Sequence, residues 1–172
     1  PENFVATPDP ATAPAVRLAL PDETAAIPLV LDSPHSGTVL PPGFETLATR
    51  EQQLTAWDAF IPDPWRGAVE AGASLVEAEF PRIVIDPNRA ADDIDPEMVA
   101  GRWPDAWGAL APTRYSERGM GLIRRFILPG QPMYAGPLSP QEIRLRIDTL
   151  YAPYHRALAG RLDALHARFG AV

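Results

Sequence analysis

The sequence predicts an α/β domain with a mainly parallel sheet flanked by helices. Short apolar runs at residues 27–31 and 82–86 end in turns rich in Pro, Asn and Gly, as strands covered on both faces do. Stretches with helical spacing lie between and after these runs, which favours strands alternating with helices. The chain has 172 residues, 46% of them hydrophobic, and so has enough apolar side chains to bury one core.

Each element follows from a local pattern. The first apolar run, IPLVL, precedes the turn DSPHSG and predicts a strand. Residues 101–121 are rich in Gly, Pro and Trp and predict irregular structure. The remaining patterns predict, in chain order, helices at 51–60 and 64–70 and strands at 74–79, 82–86 and 121–128.

A long C-terminal helix is the clearest predicted element. The sequence SPQE places Ser139 at the N-cap, a proline at the first helical position and Glu142 where it completes a capping box. Apolar residues then recur at spacings of three and four and form one stripe. Pro153 predicts a kink, and Gly170 predicts the end of the helix.

Composition and charge narrow the possible functions. The net charge of −7 disfavours a broad nucleic-acid surface, and no apolar run approaches the ~20 residues that span a bilayer. The chain has no cysteine, which excludes disulfides and thiolate nucleophiles; without a signal-peptide pattern, this indicates a cytoplasmic protein. Residues 1–25 predict a flexible Pro/Ala-rich arm, and residues 26–172 predict a single domain.

The turn after the first predicted strand contains His35, one of three histidines. Sites in α/β proteins lie beyond the carboxyl ends of strands, so His35 is a candidate metal ligand or general base. The alternative is a turn histidine that hydrogen-bonds neighbouring backbone. Asp58 is a candidate second ligand, with Asp63 as its competitor. The alternative for Asp58 is an exposed carboxylate on an amphipathic helix.

The segment that follows residues 82–86 contains candidate anion-binding residues. Asn88 and Arg89 can grip a substrate carboxylate, because a guanidinium binds carboxylates through two parallel hydrogen bonds. The alternative for Arg89 is a structural salt bridge to the acidic loop that follows it. Arg124 and Arg125 offer a second anion clamp or, alternatively, a paired sheet edge. The acidic loop lacks the central Gly and closing Glu of an EF-hand.

Four segments in this order and spacing resemble the N-formylglutamate amidohydrolase (N-formylglutamate deformylase) family. They are PLVLDSPHSG, PRIVIDPNRAADDIDPEM, GLIRR and PLSPQEIRLRIDTLYAPYHRAL. The resemblance covers about residues 26–172. It implies a fold related to zinc carboxypeptidases (phosphorylase/hydrolase-like) and a bacterial, zinc-dependent enzyme. That enzyme would split N-formyl-L-glutamate into formate and glutamate during histidine degradation.

The resemblance also implies roles for particular residues. His35 becomes a zinc ligand and Asp58 the second one, with the role of Asp63 left open. Asn88 and Arg89 resemble the Asn-Arg pair with which zinc carboxypeptidases hold a substrate carboxylate. In the family, the third zinc ligand and the catalytic glutamate follow the long helix. The resemblance therefore implies a domain truncated at its C-terminus, with the general base beyond Val172.

Two alternatives stay open at this point. The chain is a non-catalytic or incomplete fragment that lacks the third zinc ligand, or a paralogue that acts on another N-acyl amino acid. The expected partner is a small N-acyl amino acid, and neither nucleic acid nor membrane. A sheet without its next strand exposes an edge, so we also expect a homo-oligomer or binding to a separate C-terminal segment.

Overall fold

Three short strands form a mixed sheet in the order β1-β3-β2. The computed structural model describes residues 14–172. The central strand is β3 (Ser74–Ala78), and all five of its residues are buried. Strand β2 (Val30–Ser33) runs parallel to β3, whereas β1 (Val16–Ala19) runs antiparallel to it. The α/β class is confirmed, but only one of the two strand pairings is parallel.

Strand β1 lies inside the segment that was predicted to be a flexible arm. A 3-10 turn at Glu23–Ala25 also falls within it. Arg17 of β1 pairs with Glu79 at 2.6 Å, and the ladder with β3 supplies backbone hydrogen bonds that composition alone does not indicate. The structured part of the chain therefore begins before residue 25, nearer the N-terminus than predicted. Residues 1–13 of the predicted arm lie outside the described residues.

Residues 82–86 do not form the predicted strand. Their apolar side chains are completely buried, but the backbone passes through a turn. The carbonyl of Ile83 accepts a hydrogen bond from the Tyr134 hydroxyl at 3.2 Å, and the carbonyl of Val84 accepts one from Arg146 at 2.9 Å. The apolar pattern thus predicted burial correctly, whereas side chains rather than a neighbouring strand satisfy the backbone.

The first predicted helix ends early. Helix α1 covers Arg50–Leu54 rather than residues 51–60, and α2 covers Pro62–Glu70. Residues 55–61 form turns, and Phe60 adopts a positive φ of 62°, which a helix does not tolerate. Asp58 consequently lies in a turn after α1.

The middle of the chain contains short elements. Of the predicted strand at 121–128, only the last three residues form a strand, β4 (Phe126–Leu128). It makes a hairpin with β5 (Gln131–Pro132). The region predicted to be irregular, residues 101–121, holds one 3-10 turn and one short helix. The elements are 3-10 turns at Pro96–Met98 and Asp105–Trp107, helix α3 (Arg114–Glu117), β4 (Phe126–Leu128) and β5 (Gln131–Pro132).

The predicted C-terminal helix is confirmed and contains a wide turn. Its parts are α4 (Pro140–Arg146), a π-helical segment (Ile147–Tyr151) and α5 (Ala152–Phe169). The Ser139 hydroxyl caps the start by accepting the Glu142 N–H at 3.1 Å. Pro153 has no N–H and crowds the preceding turn, and the π-helical segment directly before it gives the ring room. Gly170, at φ 76°, ends the helix.

The helices cover both faces of the sheet. Helix α5 contacts all three strands, and α2 contacts β3. The main core joins β3, residues 83–85, the β4 hairpin and the C-terminal helix. No helix within residues 14–172 has the length and apolar character to cross a bilayer. Association through an open sheet edge stays a prediction.

One carboxylate on β3 is buried between the sheet and α2. The side chain of Glu77 is near Arg66, at 3.9 Å, and its Oε2 has no hydrogen-bond partner among residues 14–172. Burial raises the pKa of Glu77 by more than the charges of Arg66 and Arg17 lower it. Ionised Glu77 therefore costs stability, and this cost appears as the pH rises through the folded-state pKa.

We expect Glu77→Gln to raise the denaturation midpoint at pH 8, because glutamine needs no ionisation at this buried position. The gain should shrink as the pH falls to 4, where wild-type Glu77 is increasingly protonated. Urea denaturation at both pH values measures it, and Glu70→Gln on exposed α2 surface is the control. A less stable Glu77→Gln protein at pH 8 would show that attraction to the arginines outweighs burial.

Candidate active site

The turn after β2 holds His35 in a fixed position. His35 lies two residues beyond the end of β2, as predicted, and is buried. The hydroxyls of Ser33 and Ser36 hydrogen-bond across the turn at 2.6 Å. A Cβ on Gly37 would lie only 2.4 Å from the carbonyl carbon of Glu79. Only glycine lets the turn pack this closely against the end of β3.

A second turn brings Asp58 to the histidine. The Asp58 N–H donates to the His35 carbonyl at 3.1 Å, and the Ser36 hydroxyl donates to the Asp58 carbonyl at 3.1 Å. The Trp57 indole N–H adds a third bond, to the Ser36 carbonyl at 2.8 Å. As a result, Asp58 Oδ2 lies 3.2 Å from His35 Nδ1, with its side chain half-exposed.

Asp86 lies on the opposite side of the imidazole ring. Its Oδ1 is 2.8 Å from His35 Nε2, and its side chain is only 1% exposed. Oδ1 also accepts the Asn88 N–H at 3.0 Å. Burial raises the pKa of Asp86, but the hydrogen bonds from His35 and Asn88 and the charge of Arg89 more than offset this and hold it below 3.8. Asp86 is therefore an ionised acceptor at neutral pH.

Arg82 fixes which ring nitrogen carries the proton. Its Nη1 lies 3.0 Å from His35 Nδ1, and its Nη2 lies 3.3 Å from Asp58 Oδ1. A guanidinium only donates hydrogen bonds, so Nδ1 accepts. We therefore assign the His35 proton to Nε2, from which the ring donates a hydrogen bond to Asp86. The guanidinium bridges two acceptors, Nδ1 and the Asp58 carboxylate, that would otherwise repel each other.

Arg124 lies among the same charges. Its Nε is buried and has no hydrogen-bond partner among residues 14–172. Burial and repulsion from Arg82 lower the pKa of Arg124, whereas the charge of Asp86 acts in the opposite direction. Arg124 is thus a partly buried cation with unused hydrogen-bonding capacity. It lies beside His35, Asp58, Arg82 and Asp86, which together form the His35 cluster.

Arg89 and Asn88 follow Asp86 directly. Arg89 donates from Nε to the Met120 carbonyl at 3.0 Å and from Nη1 to the Asn88 carbonyl at 2.9 Å. Its guanidinium lies over the Tyr115 ring at 4.2 Å. These hydrogen bonds go to carbonyls and not to the acidic loop that the sequence offered as an alternative partner. The Asn88 side chain is exposed.

Two of the other predicted site residues point elsewhere. Arg125 forms ion pairs with Asp95, at 3.3 Å, and with Glu97, which matches the alternative of a paired edge. Asp63 lies on α2, is exposed and pairs with Arg66 at 3.7 Å. The structure therefore brings Asp58, and not Asp63, to His35.

The C-terminal helix supports the site from behind. The Tyr151 hydroxyl donates to the Arg89 carbonyl at 2.8 Å, and His155 Nε2 lies 2.9 Å from the Pro87 carbonyl. The buried Tyr154 hydroxyl donates to the Asp32 carboxylate on β2. Burial and this hydrogen bond raise the pKa of Tyr154. These contacts fix the turn that carries Asn88 and Arg89.

Sequence reasoning missed Arg82 and Asp86 as site residues. They bracket the apolar run RIVID, at its first and last positions. A charged residue at each end of a run that is otherwise completely buried is the signal that could have identified them. Their contacts with His35 join residues 47 and 51 positions apart, a pairing that local patterns do not show.

Two cavities lie near this part of the molecule. One of about 320 Å³ is lined in part by Ser36 and Trp57, the sequence neighbours of His35 and Asp58, and by Glu77. A larger one of about 750 Å³ lies between residues 40–48, residues 134–138 and Glu142. His35, Asp58, Arg82 and Asp86 line neither of these two cavities, so cavity volume does not identify the site. The cluster is the stronger candidate because it holds the convergent titratable groups.

The cluster fits two positions of a metal site. Metal-binding histidines generally donate their other ring N–H to a carboxylate, as His35 does to Asp86. Tetrahedral coordination with bonds of 2.0–2.1 Å places two ligand atoms ~3.3 Å apart, close to the 3.2 Å between His35 Nδ1 and Asp58 Oδ2. Within residues 14–172, no group of three or more His, Asp or Glu side chains is placed to hold a metal ion.

We expect Asp86→Asn to reduce the free energy of unfolding at pH 7 by about 1–2 kcal/mol, because hydrogen bonds to a charged acceptor become neutral ones. The folded-state pKa of Asp86 is lowered, so its contribution is present above pH ~4 and is lost as the pH falls through the folded value. Urea denaturation at pH 7 and pH 3 tests this, with Asp58→Asn as a half-exposed control. A difference that is equal at both pH values would contradict the assignment.

Comparison with known proteins identifies the family of the chain. The sequence profile described as N-formylglutamate amidohydrolase matches residues 27–172. N-formylglutamate deformylase of Pseudomonas aeruginosa is 33% identical over 147 residues, which are 84% of this chain and 48% of that protein. The Pseudomonas putida enzyme of the same name is 29% identical, with the same coverage.

A solved structure matches as well. The crystal structure of N-formylglutamate amidohydrolase from Ralstonia eutropha JMP134 gives a TM-score of 0.87 at 40% identity, covering 93% of this chain and 56% of that one. The chain spans about half the length of the curated relatives it matches. The resemblance seen in the sequence is confirmed, and the chain belongs to the N-formylglutamate amidohydrolase family.

Proposed function

We propose that this chain contributes the metal-binding and substrate-binding part of a zinc-dependent amidohydrolase. The enzyme would split N-formyl-L-glutamate into formate and glutamate in histidine degradation, on a fold related to zinc carboxypeptidases. The observation that carries the proposal is the position of the His35 ring between two carboxylates. Its Nε2 lies 2.8 Å from Asp86 Oδ1, and its Nδ1 lies 3.2 Å from Asp58 Oδ2. Membership of a hydrolase family supports the same reaction class.

His35 and Asp58 would hold the zinc ion through Nδ1 and the carboxylate. When bound, zinc acts as a Lewis acid and activates water at neutral pH. Asp86 accepts a hydrogen bond from Nε2–H and so holds the ring in one tautomer and orientation. In that orientation, Nδ1 lies on the side of the ring that faces Asp58. The negative charge of Asp86 also makes the imidazole a stronger donor.

The arginines would bind and orient the substrate. N-formylglutamate carries two carboxylates, and Arg82, Arg89 and Arg124 outnumber Asp58 and Asp86 by one positive charge. Arg124 has unused donor capacity, so a substrate carboxylate would satisfy a guanidinium that is desolvated at a cost. Arg89 is held by carbonyls and by the Tyr115 ring, which restricts its motion around a second carboxylate.

Two groups are left to assign. Zinc enzymes commonly use three protein ligands and one open position, and the described residues supply two. Because the relatives are about twice as long, we assign the third ligand and the general base to the additional part of the enzyme. The proton-accepting group for the attacking water would then face His35 from that part.

We expect Asp58→Ala in the natural full-length protein to reduce bound zinc and formate release from N-formylglutamate to less than about one-tenth, because a zinc ligand is lost. Asp63→Ala should retain both, since Asp63 pairs with Arg66 on exposed α2. Elemental analysis and a formate assay measure the two properties. Removal of zinc by a chelator should abolish activity, and added zinc should restore it. Equal zinc content in both variants would contradict the ligand assignment.

We expect Arg124→Gln to raise the KM for N-formylglutamate about tenfold or more, because a charge-assisted hydrogen bond to a carboxylate is lost. Arg125→Gln is the matched control, since the neighbouring arginine is engaged by Asp95 and Glu97. Steady-state kinetics on both variants, with circular dichroism to verify folding, gives the comparison. A larger KM for Arg125→Gln than for Arg124→Gln would reverse the assignment.

A further inference from the structure

We propose that Arg82 competes with the metal ion for His35 Nδ1, so that this arginine lowers zinc affinity while it holds the two ligands together. The inference rests on the zinc site proposed above. Its basis is the contact of 3.0 Å between Arg82 Nη1 and His35 Nδ1. No other described side chain donates to that nitrogen.

The competition follows from the number of lone pairs. Neutral imidazole has one protonated nitrogen and one nitrogen with a single lone pair. The Asp86 carboxylate accepts a hydrogen bond from the protonated Nε2 at 2.8 Å, which leaves Nδ1 with the lone pair. That lone pair either accepts a hydrogen bond from Arg82 or coordinates a metal ion, and it does not do both.

The second ligand is subject to the same competition. Arg82 Nη2 lies 3.3 Å from Asp58 Oδ1, so one guanidinium contacts both the histidine nitrogen and the carboxylate. A metal ion held by His35 and Asp58 would place a positive charge against the same two groups. Arg82 therefore offsets the repulsion between the Nδ1 lone pair and the Asp58 carboxylate, as a bound metal cation would.

The rest of the Arg82 side chain is anchored independently. Its Nε donates to the Ala56 carbonyl at 2.6 Å, and the side chain is only 20% exposed. This hydrogen bond does not involve a metal ligand, so it can persist when Nη1 and Nη2 lose their partners. Arg82 is thus a positioning residue, since it keeps His35 and Asp58 converged and must release both for coordination.

Arg124 provides a matched comparison. The charges of Arg82, Asp86 and Asp58 all act on the pKa of Arg124, so the two arginines belong to the same group of charges. Of these two arginines, only Arg82 contacts His35 Nδ1 and the Asp58 carboxylate. Loss of either charge weakens repulsion of a zinc ion through space, but only loss of Arg82 frees the lone pair.

The test is the zinc affinity of the natural full-length protein, measured by competition with a chromophoric chelator. We expect Arg82→Gln to bind zinc about tenfold more tightly than wild type, the factor that corresponds to loss of one charge-assisted hydrogen bond. Arg124→Gln should tighten binding by less than about threefold, because its charge acts only through space. The His35→Ala, Arg82→Gln double variant should lose the gain. A merely structural role for Arg82 predicts the opposite sign, since disorder at the ligands weakens binding.

The outcomes separate this inference from the zinc site itself. Zinc binding that depends on His35 but is unchanged or weaker in Arg82→Gln overturns the competition and leaves the site intact. Equal tightening in Arg82→Gln and Arg124→Gln also overturns it, in favour of a general charge effect. Absence of His35-dependent binding in every variant contradicts the proposed zinc site. If Arg82→Gln does not fold, Arg82→Lys replaces it and should tighten binding by a smaller factor, because lysine lacks the two-pronged contact.

Discussion

The hydrogen bond between buried Asp86 and His35 determines how the rest of the site is arranged. It joins two segments 51 residues apart, the turn after β2 and the turn after the RIVID run. A carboxylate with 1% exposure needs strong partners, and it obtains them from the imidazole and from the Asn88 N–H. Once these are formed, the direction of the Nδ1 lone pair and the start of the Asn88–Arg89 turn are both fixed.

The charges around this bond are nearly balanced without being fully paired. Arg82 compensates the charge of Asp58, Arg89 compensates that of Asp86, and the neutral imidazole donates a hydrogen bond to Asp86. Arg124 is the additional cation, and its environment is costly for a charged group. Charged residues whose burial lowers stability in this way are typical of sites that bind ligands. The ion pairs separate Arg124 from Arg125, whose charge is paired with Asp95 and Glu97.

Local patterns predicted those parts of the fold and site whose partners are close in sequence. The position of His35 after β2 and the cap of the C-terminal helix at Ser139 follow from adjacent residues. The strand predicted at residues 82–86 was wrong because Tyr134 and Arg146, more than fifty positions away, supply its hydrogen-bond donors. Arg82 and Asp86 were missed for the same reason. Strand β1 was missed because its pairing with β3 outweighs a proline-rich composition.

The π-helical segment at Ile147–Tyr151 adds one residue to a turn without interrupting the helix. Each added residue rotates everything that follows by about 100° around the helix axis. Tyr151 ends this segment and His155 follows it, and their side chains contact the carbonyls of Arg89 and Pro87. The direction of these two contacts thus depends on the number of residues in the segment, which links the length of a helix to the geometry of the candidate site.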